Sequence, residues 1–336
     1  MPELHCFLYK KLLLNFGKFI FNMLKTNPLL KKGDTIGLIT PAGFITEEKL
    51  QKTIENLASF GLKSVYFDSV LEKNGYLAGN DQSRLNELHT MYENTEVDAI
   101  ICVRGGYGTT RILDRINYDI IKKNPKPLIG YSDITALINA VYKKTGIPGF
   151  HGIIGAGDFT EYTSENFEKI FLSDSEIINY EIFKDHKKDA FVIHSGEMSG
   201  TLAGGNLALV ISAIGTSFEI SWKNKIVFLE DIGEAPYKID RMLTQLISGG
   251  KFKNVKGIIL GQFKGCEPEE DDKENSFSLK EVIIDRIKPL EIPAVYGFSF
   301  GHIKNQLVFP VGIKAKFNTE KLSLSIKRKE LNRFFV

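Results

Sequence analysis

The chain is poor in cysteine and tryptophan, carries no excess of either charge, and has no long unbroken apolar run. Its three cysteines, Cys6, Cys102 and Cys266, are far apart and odd in number. Neither a disulfide framework nor a paired-cysteine zinc site can be built from them, and a reducing compartment is the natural setting. Lys and Arg number 43 against 41 Asp and Glu, a net charge of +2. That excludes the strong basic field of a dedicated nucleic-acid binder. The most apolar stretch, residues 12–21, is broken by Asn15 and Lys18 and is too short to span a bilayer. No internal repeat and no low-complexity tract is present. What is there is ordinary globular material: 336 residues, 43% hydrophobic and 25% charged. That is enough to bury a large core and, on length, to form two domains.

Residues 1–28 differ from the rest. They hold Lys10, Lys11, Lys18 and Lys25 against Glu3 alone, with Leu, Phe and Ile between them. Three readings stay open. The stretch is untranslated upstream sequence, with Met23 the true start. It is a basic amphipathic segment in weak contact with a membrane or packed on the body. Or it is a poor export signal, with no small-residue cleavage site in view.

From Thr35 onward the pattern alternates. Residues 35–40, 62–67, 99–103 and 128–130 are short apolar runs that suit buried strands. Residues 47–60 carry Leu50, Ile54 and Leu57 on one helical face, with Gly61 as the stop. Asp81 suits the cap of a helix bearing Leu85, Leu88 and Met91, and a further helix ends near Gly146. Such alternation implies a parallel sheet covered on both faces, with ligands at the carboxyl ends of its strands. Residues 156–195 are polar and irregular. Strand signals restart at 226–229, 257–260, 294–296 and 306–311, separated by helical stretches at 206–214, 237–247 and 279–287. The expected division is an extension (1–28), an N-terminal domain (29–160), a linker (161–195), a second α/β domain (196–325) and a tail (326–336). The acidic run from Glu267 to Glu274 reads as a solvated loop.

Four residue sets carry chemistry. Ser132 lies at a strand end just before a helix, in Gly130-Tyr131-Ser132-Asp133-Ile134. A serine on such a turn stands out at the top of the sheet, with the next backbone N–H aimed at any oxyanion formed there. A plain Ser or Asp helix cap explains the same residues. Arg104-Gly105-Gly106-Tyr107-Gly108 ends another strand. Its glycines let the backbone approach a ligand and expose N–H groups, or simply make a tight turn; the spacing is neither a dinucleotide fingerprint nor a P-loop. Glu230 closes the apolar run 226–229, where a carboxylate can orient a histidine or cap the next segment. His302 follows the 294–296 strand in Phe300-Gly301-His302, and His151 is its rival at another strand end; a structural histidine is the alternative for either. Ser, Glu and His thus sit at strand ends in that order, 98 and 72 residues apart.

Taken together these segments resemble the serine peptidase family of LD-carboxypeptidase A and the microcin-immunity peptidase. The matching stretches are Gly33-Asp34-Thr35-Ile36 with Pro41-Ala42-Gly43, Val103 to Gly108, Gly130 to Thr135, Gly204-Gly205-Asn206-Leu207, Leu229 to Glu234, Asp240 to Leu243 and Phe300-Gly301-His302. They run in family order over residues 30–325. Two features depart from the family: Ile153 stands where Pro often follows His151-Gly152, and the extension has no counterpart.

The resemblance implies a flavodoxin-like parallel-sheet domain, akin to class I glutamine amidotransferases, and a smaller C-terminal α/β domain of the swivelling type. It implies a Ser132–Glu230–His302 triad, a homodimer, and neither metal nor cofactor. The backbone N–H groups of Gly106 and Asp133 are the expected oxyanion hole, and Arg104, Tyr107 and Asn206 the expected substrate contacts. The implied substrate is a murein tetrapeptide losing terminal D-Ala from the L-centre of meso-diaminopimelate, in cytoplasmic peptidoglycan recycling. Envelope or periplasm replaces the cytoplasm if the extension exports or anchors the chain. Alternatives are cleavage of aminoacyl-nucleotide amides, LD-endopeptidase action on cross-linked murein, and a non-catalytic ligand-binding module on the same fold.

Overall fold

A computed structural model describes residues 27–335; residues 1–26, and with them the three readings of the extension, lie outside the described part. Two sheets form. In the first, β1 (Thr35–Ile39), β2 (Lys63–Val65), β3 (Ala99–Cys102), β4 (Leu128–Gly130) and β5 (Gly149–His151) are parallel, in the order β2-β1-β3-β4-β5. All four residues of β3 are fully buried and apolar, as a strand covered on both faces requires. Crossover helices include Glu47–Ser59, Asp81–Glu93 and Ile134–Thr145. The second of these is capped by Asn80, whose side chain accepts from the Ser83 N–H. Asp81, the expected cap, instead binds Arg84 and Arg111. The third ends at Gly146, left-handed at φ 78°.

The second sheet is built from β6 (Ile177–Tyr180), β7 (Phe191–His194), β8 (Glu197–Asn206), β9 (Lys225–Ile232), β10 (Gly257–Lys264) and β11 (Ala294–Gly301). After the short β12 (Phe309–Val311), β13 (Lys314–Asn318) and β14 (Ser323–Lys327) complete it. Its order is β6-β14-β13-β8-β9-β10-β11-β7. The central β8-β9-β10-β11 strands are parallel and the flanking pairs antiparallel. Alternation along β9 shows how the halves join. Ile226 and Phe228 face a core shared with the first sheet, while Val227 and Leu229 face helices Pro236–Ser248 and Leu279–Ile287. Among the described residues no helix is long and apolar enough to cross a membrane.

Three expectations need correction. The 161–195 stretch is not an irregular linker. It contains helix Glu161–Phe171, which buries Thr163, Phe167, Ile170 and Phe171 on one face, and then β6 and β7, which edge the second sheet. The 306–311 run does not extend the second sheet, because β12 crosses over and pairs antiparallel with β5, Phe309 opposite His151. The 326–336 tail is no appendage. It completes β14 and forms helix Arg328–Phe335.

Arg328 docks that helix. Fully buried, it donates from Nε to the Ser175 carbonyl at 2.9 Å, from Nη1 to Ile170 at 3.0 Å and from Nη2 to Lys169 at 2.5 Å. These carbonyls lie at and just beyond the end of helix Glu161–Phe171, where helices leave acceptors unpaired. Replacing Arg328 by Ala orphans all three, and the expected loss of stability is about 3–5 kcal/mol, measured by urea unfolding; a loss under about 1 kcal/mol contradicts the docking role.

Candidate active site

Strand alternation decides where Glu230 points. Even-numbered residues of β9 face the first sheet, so Glu230 follows Phe228 to that side, while Asp231 turns the other way. On β11 the register shifts next to Gly297, which is at φ 101°. Val295 faces the shared core before the shift, and Phe298 and Phe300 after it. His302 follows at the start of the crossing to β12. The outcome is a 2.9 Å hydrogen bond between His302 Nδ1 and Glu230 Oε2, with Glu230 fully buried and the histidine side chain 16% exposed.

Ser132 sits on the turn between β4 and helix Ile134–Thr145 at φ 65°, a left-handed conformation in a residue that is not glycine. Such backbone strain costs on the order of 1–3 kcal/mol and clusters at functional sites. The plain cap explanation does not hold: Asp133 makes no side-chain cap bond. Its buried carboxylate accepts the Thr109 N–H at 2.8 Å, while Thr109 Oγ1 donates to the Asp133 carbonyl at 2.7 Å. Burial raises the Asp133 carboxyl above its ordinary value. These bonds tie the Ser132 turn to the glycine turn. A Cβ on Gly105 would lie 2.8 Å from Ser132 Cβ and 3.1 Å from its Oγ, so only glycine lets the two turns meet this closely. The Tyr131 ring lies edge-on to His302 at 5.0 Å between centroids. The serine turn, Glu230 and His302 therefore converge at one place.

The glycine turn is braced from behind. Gly43 N–H donates to the Gly105 carbonyl, and buried Arg84 donates to the carbonyls of Pro41 and Gly108 at 2.6 and 2.8 Å. Arg104 donates from Nη1 to the Phe44 carbonyl at 2.7 Å. Gly106 is at φ 110°, and among the described residues neither its N–H nor that of Asp133 donates to a protein acceptor. Tyr107 is exposed and packs edge-on against Tyr76. Asn206 is buried and engaged at both ends: Nδ2 donates to Asp231 Oδ1 at 3.0 Å and Oδ1 accepts the Leu209 N–H. Its side chain holds the site's frame.

His151, the rival histidine, is fully buried beside Tyr131 and Phe228, with no hydrogen-bond partner on either ring nitrogen among the described residues. Burial pushes its pKa down to about 4, so it is neutral at ordinary pH. Sequence reasoning missed two buried acids. Asp231 is pushed up to about 6 by burial. Glu87 accepts the Thr40 N–H at 2.8 Å under the 41–44 loop and is pushed to about 7, also by burial. Their only sequence signal is an acid inside an apolar pattern.

Known proteins are similar to this chain over most of its length. Residues 36–152 match the LD-carboxypeptidase N-terminal domain, and residues 199–317 the LD-carboxypeptidase C-terminal domain. A protein of Bacillus subtilis named "probable murein peptide carboxypeptidase" is 38% identical over 92% of this chain and 97% of its own length. The microcin C7 self-immunity protein MccF of Escherichia coli is 27% identical over 92% of this chain and 99% of its own. A crystal structure of the muramoyltetrapeptide carboxypeptidase from Oxalobacter formigenes superposes with a TM-score of 0.76 at 30% identity, covering 87% of this chain and 98% of that one.

The buried His151 sets a pH dependence of stability. Its folded pKa lies below the unfolded value near 6.5, so the unfolded state alone takes up the proton between those values. Its contribution is complete above about pH 6.5 and is lost as the pH falls toward 4. The stability difference between the parent and His151→Gln should therefore shrink by about 3 kcal/mol from pH 7 to pH 4, measured by denaturant unfolding at each pH. A difference independent of pH contradicts the burial of a neutral imidazole.

Proposed function

The chain belongs to the LD-carboxypeptidase family, and from that premise we propose that it is a serine peptidase that removes terminal D-Ala from murein tetrapeptides. The observation that carries this reading is the 2.9 Å Glu230–His302 bond beside a strained serine turn. The names of the Bacillus and Oxalobacter relatives support the substrate class.

In this reading Ser132 Oγ attacks the carbonyl of the bond between the L-centre of meso-diaminopimelate and D-Ala. His302 donates from Nδ1 to Glu230, which fixes the tautomer and leaves Nε2 to take the serine proton and return it to the leaving amine. Glu230 stabilises the imidazolium that forms. The Gly106 and Asp133 N–H groups receive the oxyanion, each worth roughly 3 kcal/mol in the transition state. Water then releases the acyl-enzyme by the same route. Tyr107 stands exposed at the rim as a contact for the substrate, and Arg104, with part of its guanidinium committed to Phe44, faces the terminal carboxylate. The first sheet reads as flavodoxin-like, supported by its β2-β1-β3-β4-β5 order, and the second half as the swivelling-type domain. A cytoplasmic homodimer acting in peptidoglycan recycling completes the proposal.

Cleavage of an aminoacyl nucleotide is the second reading, supported by the likeness to MccF. The one tryptophan offers it no base platform: Trp222 is buried in the second core and donates to Glu219.

Purified protein should release D-Ala from a murein tetrapeptide and leave a terminal L-Ala in place. Ser132→Ala and His302→Ala should lower kcat/KM at least about 10³-fold with the fold intact, and Glu230→Gln somewhat less. Turnover of Ser132→Ala within tenfold of the parent, or preference for an aminoacyl nucleotide assayed in parallel, contradicts the proposal.

A further inference from the structure

We infer that the outer face of β13 and β14 docks on an anionic phospholipid bilayer. These strands turn Ala315, Phe317, Leu324 and Ile326 into the core. Outward they present Lys314, Lys316 and Lys327, all exposed, and exposed Lys329 follows in the first turn of helix Arg328–Phe335. The four lysines line a shallow concavity of about 520 Å³ together with half-exposed Ile177. Among the described residues none of the four forms an ion pair. The one carboxylate in the concavity, Glu330, is already paired with Arg333.

The ladder concentrates the charge. Lys316 pairs with Ser325 and Ala315 with Ile326, which sets Lys314 and Lys327, one step further, opposite each other. Like charges facing across strands destabilise a sheet, so an anionic surface relieves a cost built into this face. Lysines commonly guard sheet edges against aggregation, but the edge here is β6; β14 and β13 lie inside it.

The choice of a bilayer rests on where the rest of the chain joins. The Asn27 carbonyl accepts from Asn332 Nδ2 at 3.0 Å, and Asn332 lies about one helical turn beyond Lys329. The preceding 26 residues, with Lys10, Lys11, Lys18 and Lys25 among Leu, Phe and Ile, therefore attach beside the lysine face. A basic patch next to a basic, apolar segment combines electrostatic attraction with apolar insertion, the two ingredients of peripheral membrane binding.

The test is co-sedimentation of the full chain with vesicles of phosphatidylcholine, alone and mixed with phosphatidylglycerol, at low and high salt. The chain should bind the mixed vesicles and release them as salt screens the charges. Replacing Lys314, Lys316, Lys327 and Lys329 together by Gln should weaken that binding at least roughly tenfold. The matching fourfold Arg variant should keep it, and neither variant should melt below the parent, the Gln variant being freed of the facing like charges. Undiminished binding by the Gln variant, equal loss in the Arg variant, equal binding to pure phosphatidylcholine, or binding to heparin but not to vesicles overturns the inference.

Discussion

The β5–β12 ladder is the constraint on which the rest of the molecule depends. Among the described residues it is the one place where a strand from the second half joins the first sheet, with Phe309 opposite His151 and Val311 opposite Gly149. The chain that makes this crossing leaves β11 at Gly301 and carries His302 as its first residue. Leu307 N–H bonds back to the Ser299 carbonyl, and Gln306 N–H to Thr163 Oγ1. The segment that carries the imidazole is thus tied to both halves, and Phe300 and Phe309, on the strands at its two ends, pack on each other and on Phe228 in the shared core. Interiors packed to this density resist small displacements, which keeps the histidine aligned with a carboxylate from one sheet and with a serine turn from the other.

Around that anchor the serine turn stores strain that its neighbours hold in place. Ser132 keeps its left-handed backbone because Asp133 and Thr109 bond reciprocally and because Gly105 leaves room for its side chain. Arg84 and the 41–44 loop support the glycine turn in the same way. A site built on strand ends and braced loops is pre-organised, and electrostatic stabilisation of an oxyanion needs donors already aimed before charge develops.

Much of this was legible in the sequence, for reasons tied to particular residues. Buried parallel strands declare themselves as apolar runs, and β3, β4 and β9 do so. Ser132, Glu230 and His302 each follow such a run, which made them visible as a set. β8 was not visible because its signal is glycine: a Cβ on Gly204 would lie 1.9 Å from the Phe228 carbonyl oxygen, so close strand packing replaces apolar side chains. Helix Glu161–Phe171 did carry a readable pattern, Thr163, Phe167, Ile170 and Phe171 at helical spacing, obscured by its polar flanks. That β12 belongs to the first sheet is a tertiary fact with no local signature. Asn206 was expected as a substrate contact only through the family resemblance of Gly204-Gly205-Asn206-Leu207; its role in capping helix Leu207–Ser212 and binding Asp231 emerges only when β8 and β9 lie side by side.

The central claim is that Ser132 is the nucleophile, set against a histidine that Glu230 orients. Rapid acid quench during turnover of a murein tetrapeptide, followed by mass mapping of the digested protein, tests it most directly. The account predicts a transient mass increase equal to the tripeptide acyl group, located on Ser132 and absent from Ser132→Ala. An adduct on another residue, or D-Ala release at the parent rate by Ser132→Ala without any adduct, would contradict it.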